Sequence, residues 1–345
     1  MYIYILLVLI LLIFHSYKIK DHFVNYKKIT VTPSKMVYSK LYINTDNYNT
    51  LVTLAKFIKN IYPIYKINLT NGSKSNIKLT NKHLNNISFI QEHIHDSKKY
   101  PNVRFISAIC INYATLIVST KSNISSWKDL EGKVVGTLAY NSGSYHMLNS
   151  IKNIYHLDFE INIITFQHTN IVKNFNNNNI DAYFIICPHP DETIQNINKY
   201  YPLKFIGING LNNDIMKIKY PYLTYSKIDI TNYKIFHYTP TTLRIRTVII
   251  CNKDFSHQGG YRFIETIFKN LLNIKTIDND TIKLQMKEFN PDDIYLANTS
   301  FKLHKGVHEF YKNIGLITNN KNKDCVYTIG SKECNLNKLN RYRLL

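Results

Sequence analysis

Short runs rich in β-branched and aromatic residues alternate with amphipathic helical stretches along most of this chain, which directs it to an α/β fold with mainly parallel strands. Leu41–Asn44 reads as a strand. The polar stretch Asp46, Asn47, Tyr48, Asn49, Thr50 follows it, then a helix with Leu51, Leu54, Ala55 and Ile58 on one face. Ile87–Ile90 reads as a strand ending at Gln91, and Phe105–Val118 as a long apolar segment. Further on, Ser125–Leu130 reads as a capped short helix, Glu131–Lys133 as a turn and Val134–Leu138 as a strand. A polar loop, Asn141, Ser142, Gly143 and Ser144, then leads into a helix with Met147, Leu148, Ile151, Ile154 and Tyr155 on its apolar face. Asp181–Cys187 is a later strand, followed by Pro188, His189, Pro190 and a helix from near Asp191. No sequence repeat is evident.

The strand, polar loop and helix start around Ser144 have a chemical meaning. A helix start presents free backbone N–H groups and the positive end of the helix dipole, which suits a carboxylate or phosphate. The same four residues are also an ordinary turn with an N-cap, so the pattern alone leaves both readings open. In open α/β sheets ligands gather outside the carboxyl ends of strands, so the loop at His189 should open on the same edge.

With 345 residues and 45% hydrophobic content, the chain can bury a sizeable core and is neither a disordered tail nor a coiled coil. Its formal charge of +20 is mostly Lys, in a chain crowded with Asn, Ile, Lys and 27 Tyr and poor in Gly and Pro. AT-rich codons supply those residues, and the lysines are spread along the whole chain. There is no recognition motif and no dense basic cluster, so nucleic acid is not an expected partner.

Tyr2–Phe14 is wholly apolar or Tyr, and Lys18, Lys20, Asp21, Lys27 and Lys28 follow it. We expect residues 1–17 to be a signal or anchor segment and 18–38 a linker, making the protein membrane-anchored or secreted, with topology open because the lysines follow the run. Cys110, Cys187 and Cys251 sit in strand-like runs and read as small buried hydrophobes. Cys325 and Cys334 flank a short stretch in the polar tail, 317–345, and would pair in an oxidising compartment. Sequons at Asn68, Asn86 and Asn298 add little in so Asn-rich a chain. No Cys/His set has zinc spacing, His304 and His308 lack the Glu of a metalloprotease helix, and neither a metal nor a cofactor is implied.

Four segments, in order, carry a resemblance. ISSWKDLEGKVVGTLAYNSGS, from Ile124, resembles the entry to the second domain of type II extracytoplasmic solute-binding proteins. NNNNIDAYFIICPHPDETIQNI, YPYLTYSKIDITNY and FKLHKGVHEFYKNIGL resemble the D-A-x-F strand with its Pro-containing loop, the Y-P-x-Y segment and the closing H-P-G-A-x-x-Y-Y helix of the TAXI family, the solute receptors of TRAP transporters. The similarity runs from about Ser39 to Leu316.

The resemblance implies a two-lobed type II periplasmic-binding-protein-like fold, α/β, with two crossing hinge strands near Ala108–Ser119 and Thr242–Cys251. Lobe one would comprise 39–115 plus 243–316, and lobe two 116–242. A small anionic organic solute, a dicarboxylate or amino acid, would be captured in the cleft by hinge closure, with TRAP-type membrane subunits as partners where they are encoded. By matching positions, ligand contacts are expected from Asn47, Tyr48 and Gln91 on lobe one and from Asn141, Ser142, Gly143, Ser144, His189 and Tyr233 on lobe two. Arg246, on a crossing strand, is either a bidentate partner for a ligand carboxylate or half of a salt bridge.

Some positions depart from the family pattern. Thr45-Asp46-Asn47-Tyr48 has no glycine, Asp229 and Thr231 replace Pro and Gly, and Lys305 replaces Pro. Where a Cβ takes the place of a glycine, ligand identity changes before the fold does. Two alternatives follow: a degenerate surface or envelope protein without transport function, as an AT-rich large DNA virus would carry, and an enzyme like the thiamine pyrimidine synthase that shares the type II fold. No iron-binding cysteine cluster, nucleophile elbow or Ser/His/Asp set is present, so no catalytic residues are expected.

Overall fold

The structure, a computed structural model, describes residues 41–46, 49–164, 168–208, 211–220, 223–233, 235, 239–270 and 301–314. The apolar segment 1–17, the linker, Asn47, Tyr48, Asn298 and the tail with Cys325 and Cys334 lie outside them. The description below concerns residues from Leu41 onward.

The chain begins with β1 (Leu41–Thr45), α1 (Asn49–Ile61), β2 (Tyr65–Leu69), α2 (Ser73–Lys82) and β3 (Asn86–Gln91). After β4 (Val103–Ser119) the same scheme recurs as β5 (Lys133–Thr137), α3 (Gly143–Ile154), β6 (Phe159–Ile163), α4 (His168–Asn176) and β7 (Ala182–Cys187). Then come α5 (Glu192–Tyr200), β8 (Leu203–Ile206), α6 (Asn213–Lys219), β9 (Thr224–Lys227), β10 (Thr241–Asn252), α7 (His257–Lys269) and α8 (Lys305–Asn313).

In each βαβαβ unit the first strand lies in the middle, giving the parallel orders β2-β1-β3 and β6-β5-β7. The two trios are halves of one sheet, β2-β1-β3-β10-β4-β7-β5-β6, with β8 added on β4 and β9 on β10. Between the trios, β4 and β10 run antiparallel from Arg244 beside Tyr113 to Asn252 beside Val103. Strand β4 has 17 residues, about 56 Å of extended chain, enough to serve both halves. The α/β class and the pair of long crossing strands are therefore as expected, with β4 starting earlier than Ala108.

Alternation along the strands places the core. Ile43, Leu54, Ala55, Ile58 and Phe89 pack with Phe263 and Ile264 of α7 and with Val307, Phe310 and Tyr311 of α8, so the chain returns to its first half after β10. The Tyr311 hydroxyl donates to the Ile106 carbonyl at 2.7 Å and ties α8 to β4. In the second half one sheet face buries Trp127, Leu130, Val135, Met147, Leu148, Ile151 and Phe184. The other buries Ile171, Phe175, Ile185, Ile194 and Ile197. Cys110, Cys187 and Cys251 are buried free thiols, and burial pushes the Cys110 thiol up to about 11.

Polar side chains inside the first half are paired across strands in register. Asn44 donates to Ser88 Oγ at 2.9 Å and accepts from Asn68 Nδ2 at 2.7 Å, both directly opposite it. Asn86 is buried, so neither of these two sequons is a free surface asparagine. Around Trp127 the expected short helix is one 3-10 turn, Trp127–Leu130, closed by a reciprocal capping box between Ser126 and Asp129.

Candidate functional site

The carboxyl ends of β3, β5 and β7 come together with the first turn of α3, the sheet edge where a solute is expected. Gln91, the last residue of β3, reaches across to the second half: its Nε2 donates to the Ile186 carbonyl at 3.4 Å. The Ile186 carbonyl fixes which end of the amide faces it, and leaves Gln91 Oε1 buried without a hydrogen-bond partner. That side chain lies over Gly143, where an added Cβ would overlap the amide oxygen.

Two residues beyond Gln91, His93 is 6% exposed and its Nε2 is 3.0 Å from the Gly143 carbonyl. A carbonyl only accepts, so Nε2 carries the proton and Nδ1 is a bare acceptor; it has no partner. Burial, with His146 and Lys74 nearby, holds the imidazole down at about 3.

The loop Asn141–Ser144 closes on the first half through its backbone. The Asn141 carbonyl accepts from the Lys74 N–H at 2.9 Å and so satisfies the start of α2. Gly72, the N-cap of α2, has φ +118°, and a Cβ there would stand 2.8 Å from Ser142 Cα and 2.9 Å from the Asn141 carbonyl oxygen. Only glycine meets both demands at that position.

The two serines have structural partners. Ser142 caps α3 by accepting from the Tyr145 N–H at 3.1 Å, and the buried Ser144 hydroxyl accepts from the Ile186 N–H at 2.9 Å, locking α3 to the end of β7. Gly143 is buried beneath Gln91 as the first residue of α3.

His189 and Tyr233 meet each other away from this contact. His189 Nε2 pairs with the Thr115 hydroxyl at 2.9 Å and Nδ1 with the Tyr233 hydroxyl, which also accepts from the Asp191 N–H at 2.6 Å. Both ring nitrogens are engaged, and burial holds the imidazole down at about 3. Arg246 is bidentate to Glu92, Nε to Oε2 at 2.6 Å and Nη2 to Oε1 at 2.7 Å, with Glu92 1% exposed. Of the two readings of Arg246, the structure has the salt bridge.

The structure thus joins Gln91, Asn141, Ser142, Gly143 and Ser144 in one contact, pairs His189 with Tyr233 in another, and turns Arg246 to Glu92. Gly72, Lys74, Glu92 and His93 were not anticipated, and His146 was considered only as a residue an enzyme of this fold could recruit. One signal was present: Asn71-Gly72-Ser73 after β2 is another strand, small polar loop and helix start. Among the described residues no three His, Cys, Asp or Glu side chains gather as a metal would need, and no helix is long and apolar enough to cross a membrane.

The sequence profile of the NMT1-like family matches residues 45–315, most of the chain and all of the sheet beyond β1. The chain belongs to the NMT1-like family. No curated protein matches it. Among solved structures it is similar to the substrate binding protein of an amino acid ABC transporter, at 12% identity and a TM-score of 0.47, covering 72% of this chain and 99% of that one. It is also similar to the periplasmic aliphatic sulphonate binding protein of Escherichia coli, at 12% identity and a TM-score of 0.42, covering 79% of this chain and 82% of that one.

Proposed function

We propose that this NMT1-like chain is an extracytoplasmic solute-binding protein of the TAXI type. It captures a small amino acid or dicarboxylate between lobe one, 39–115 plus 243–316, and lobe two, 116–242, by hinge closure about β4 and β10. The observation that carries this reading is the pair of orphaned acceptors, Gln91 Oε1 and His93 Nδ1, buried where β3 meets α3. A buried acceptor without a donor costs about 1–3 kcal/mol, so such atoms accumulate where a ligand supplies the donor. An ammonium group supplies it, which favours an amino acid over a dicarboxylate. With the Tyr145 N–H taken by Ser142, the N–H groups of Gly143 and Ser144 at the start of α3 lack intrahelical acceptors and suit the carboxylate of the same molecule.

On this reading the chain is not an enzyme and needs no cofactor, and the N-terminal apolar segment delivers it to a membrane. Engagement of both His189 nitrogens supports a positioning role for that ring rather than proton transfer. The test is a thermal-shift screen of the full-length protein against matched pairs, L-alanine with lactate and L-glutamate with glutarate. A rise in melting temperature with the amino member of a pair supports the reading, and no rise with any compound removes it.

A second reading, a degenerate surface or envelope protein without transport, is favoured by one observation: Gln91 fills the space over Gly143 and leaves no gap there for a solute. TRAP-type membrane subunits encoded beside the gene would decide for transport.

A further inference from the structure

Beside the Gly72–Asn141 contact, three separate stretches of sequence bring together positive charge with little to neutralise it. Lys74 of α2 and Lys99 of the turn after β3 both approach one ring, their Nζ atoms 5.9 and 6.0 Å from the centroid of Tyr100. Lys78 lies one helical turn beyond Lys74, and His146 of α3 is within electrostatic reach of all three lysines. None of the three lysines forms an ion pair among the described residues. The neighbouring carboxylate, Asp96, is turned to the backbone, its Oδ1 accepting from the N–H groups of Lys98 and Lys99 at 2.9 and 3.1 Å.

Two groups able to donate are buried in the same region without partners. Tyr100 is 4% exposed and its hydroxyl has no hydrogen-bond partner, and neither has His146 Nε2. Like charges held this close repel, and burying unpaired donors beside them adds to the cost. A single oxyanion removes both costs, since its oxygens accept from a hydroxyl and an imidazole N–H while its charge offsets the ammonium groups. Burial and then Lys99 and Lys78 lower the Lys74 ammonium, with Asp96 acting the other way, and burial and then Lys74, Lys78 and Lys99 hold His146 at about 4.

We propose that this flank is a binding site for a small oxyanion of the phosphate class, held by Lys74, Lys99, Tyr100 and His146. Lys74 stands on the first half of the sheet and His146 on the second, so the bound anion bridges the two and stabilises their contact. The site does not depend on the solute-binding reading, because it uses neither Gln91 nor His93 nor the backbone N–H groups that begin α3.

The test is a titration of the full-length protein with inorganic phosphate, against sodium chloride at equal ionic strength. The expected result is a saturable rise in melting temperature of about 2 °C or more with phosphate alone. Lys74→Met and Lys99→Met should each raise the half-saturating concentration about tenfold. Lys217→Met, on α6, should leave it unchanged. In the wild-type protein, where no variant has to fold, phosphate should move the NMR resonance of the His146 ring and leave that of the exposed His257 in place. If methyl phosphate acts and inorganic phosphate does not, the oxyanion belongs to an organic ligand; if both act, the free ion suffices. Equal responses to phosphate and chloride, or an unmoved His146 resonance, overturn the proposal. A phosphate response with no response to any amino acid or carboxylate leaves this site standing and removes the cleft reading, and the opposite pattern removes this site alone.

Discussion

The Gln91 side chain lies over the Cα of Gly143, its amide oxygen in the space that any side chain at 143 would take. The far end of Gln91 is flexible and can swing aside, so Gly143→Ala should change ligand-free stability by no more than about 1 kcal/mol. It should also abolish the thermal response to an amino acid by displacing the acceptor. Melting curves of the variant with and without the active compound check this, and an unchanged response means that Gln91 does not contact the solute.

Gly72 is less forgiving, because its neighbours are backbone atoms and its φ is positive. Gly72→Ala should cost about 2–3 kcal/mol, from the strained dihedral and from loss of the contact with Asn141 and Ser142. Urea unfolding would measure the loss. Stability equal to wild type would show that the two halves do not rest on each other here.

Gln91→Met removes an unpartnered buried acceptor and keeps the volume, at the loss of the long 3.4 Å bond to the Ile186 carbonyl. We expect it to raise ligand-free stability by about 1 kcal/mol and to eliminate solute binding, the trade expected of a residue kept for function. A drop in ligand-free stability would instead mean that Oε1 is satisfied by water or that the bond to Ile186 outweighs the orphaned acceptor.

Arg246 and Glu92 are a buried pair, and removing one partner leaves an uncompensated charge. Arg246→Met should therefore cost about 3–5 kcal/mol, and the double variant Arg246→Met/Glu92→Leu should recover most of it. Chemical denaturation of the two variants decides the matter. A double variant no better than the single would assign the loss to packing.

The imidazoles of His93 and His189 are held at about 3, below the ordinary value of 6.5, chiefly by burial. The unfolded chain therefore binds more protons than the folded one between those values. Stability is full above about pH 6.5 and falls as the pH drops toward 3, each ring adding a slope of up to about 1.4 kcal/mol per pH unit. Melting temperatures from pH 7.5 to 4.5 should fall, and less steeply in His93→Gln. A flat profile would place both rings in contact with water.

How much of this was legible in the sequence varies with the range of the interaction. Met147, Leu148 and Ile151 share one helical face, and the run through Cys187 is apolar throughout; both patterns are local, and both elements form where expected. Ser142 was legible as a cap because its partner, Tyr145, is three residues away. Ser144 was not, since its partner at Ile186 is fixed only when α3 lies on β7. Arg246 could be read two ways because Glu92, its partner, is 154 residues distant. The duplicated βαβαβ unit is legible as a recurring strand, polar turn and helix but leaves no sequence repeat, because it repeats a topology without repeating residues.

The packing of α7 and α8 on the first three strands sets an order of events during synthesis. The face of β1 and β3 that carries Ile43 and Phe89 has only α1 as cover until Phe263, Phe310 and Tyr311 have been made, whereas the second half owns all of its core soon after Leu243 and Ile245. The half translated first is thus the last to be completed. A nascent chain released before α8 should present a protease-resistant second half and a first half that is cut at β1 to β3, and during that interval the growing chain has its greatest need of a chaperone.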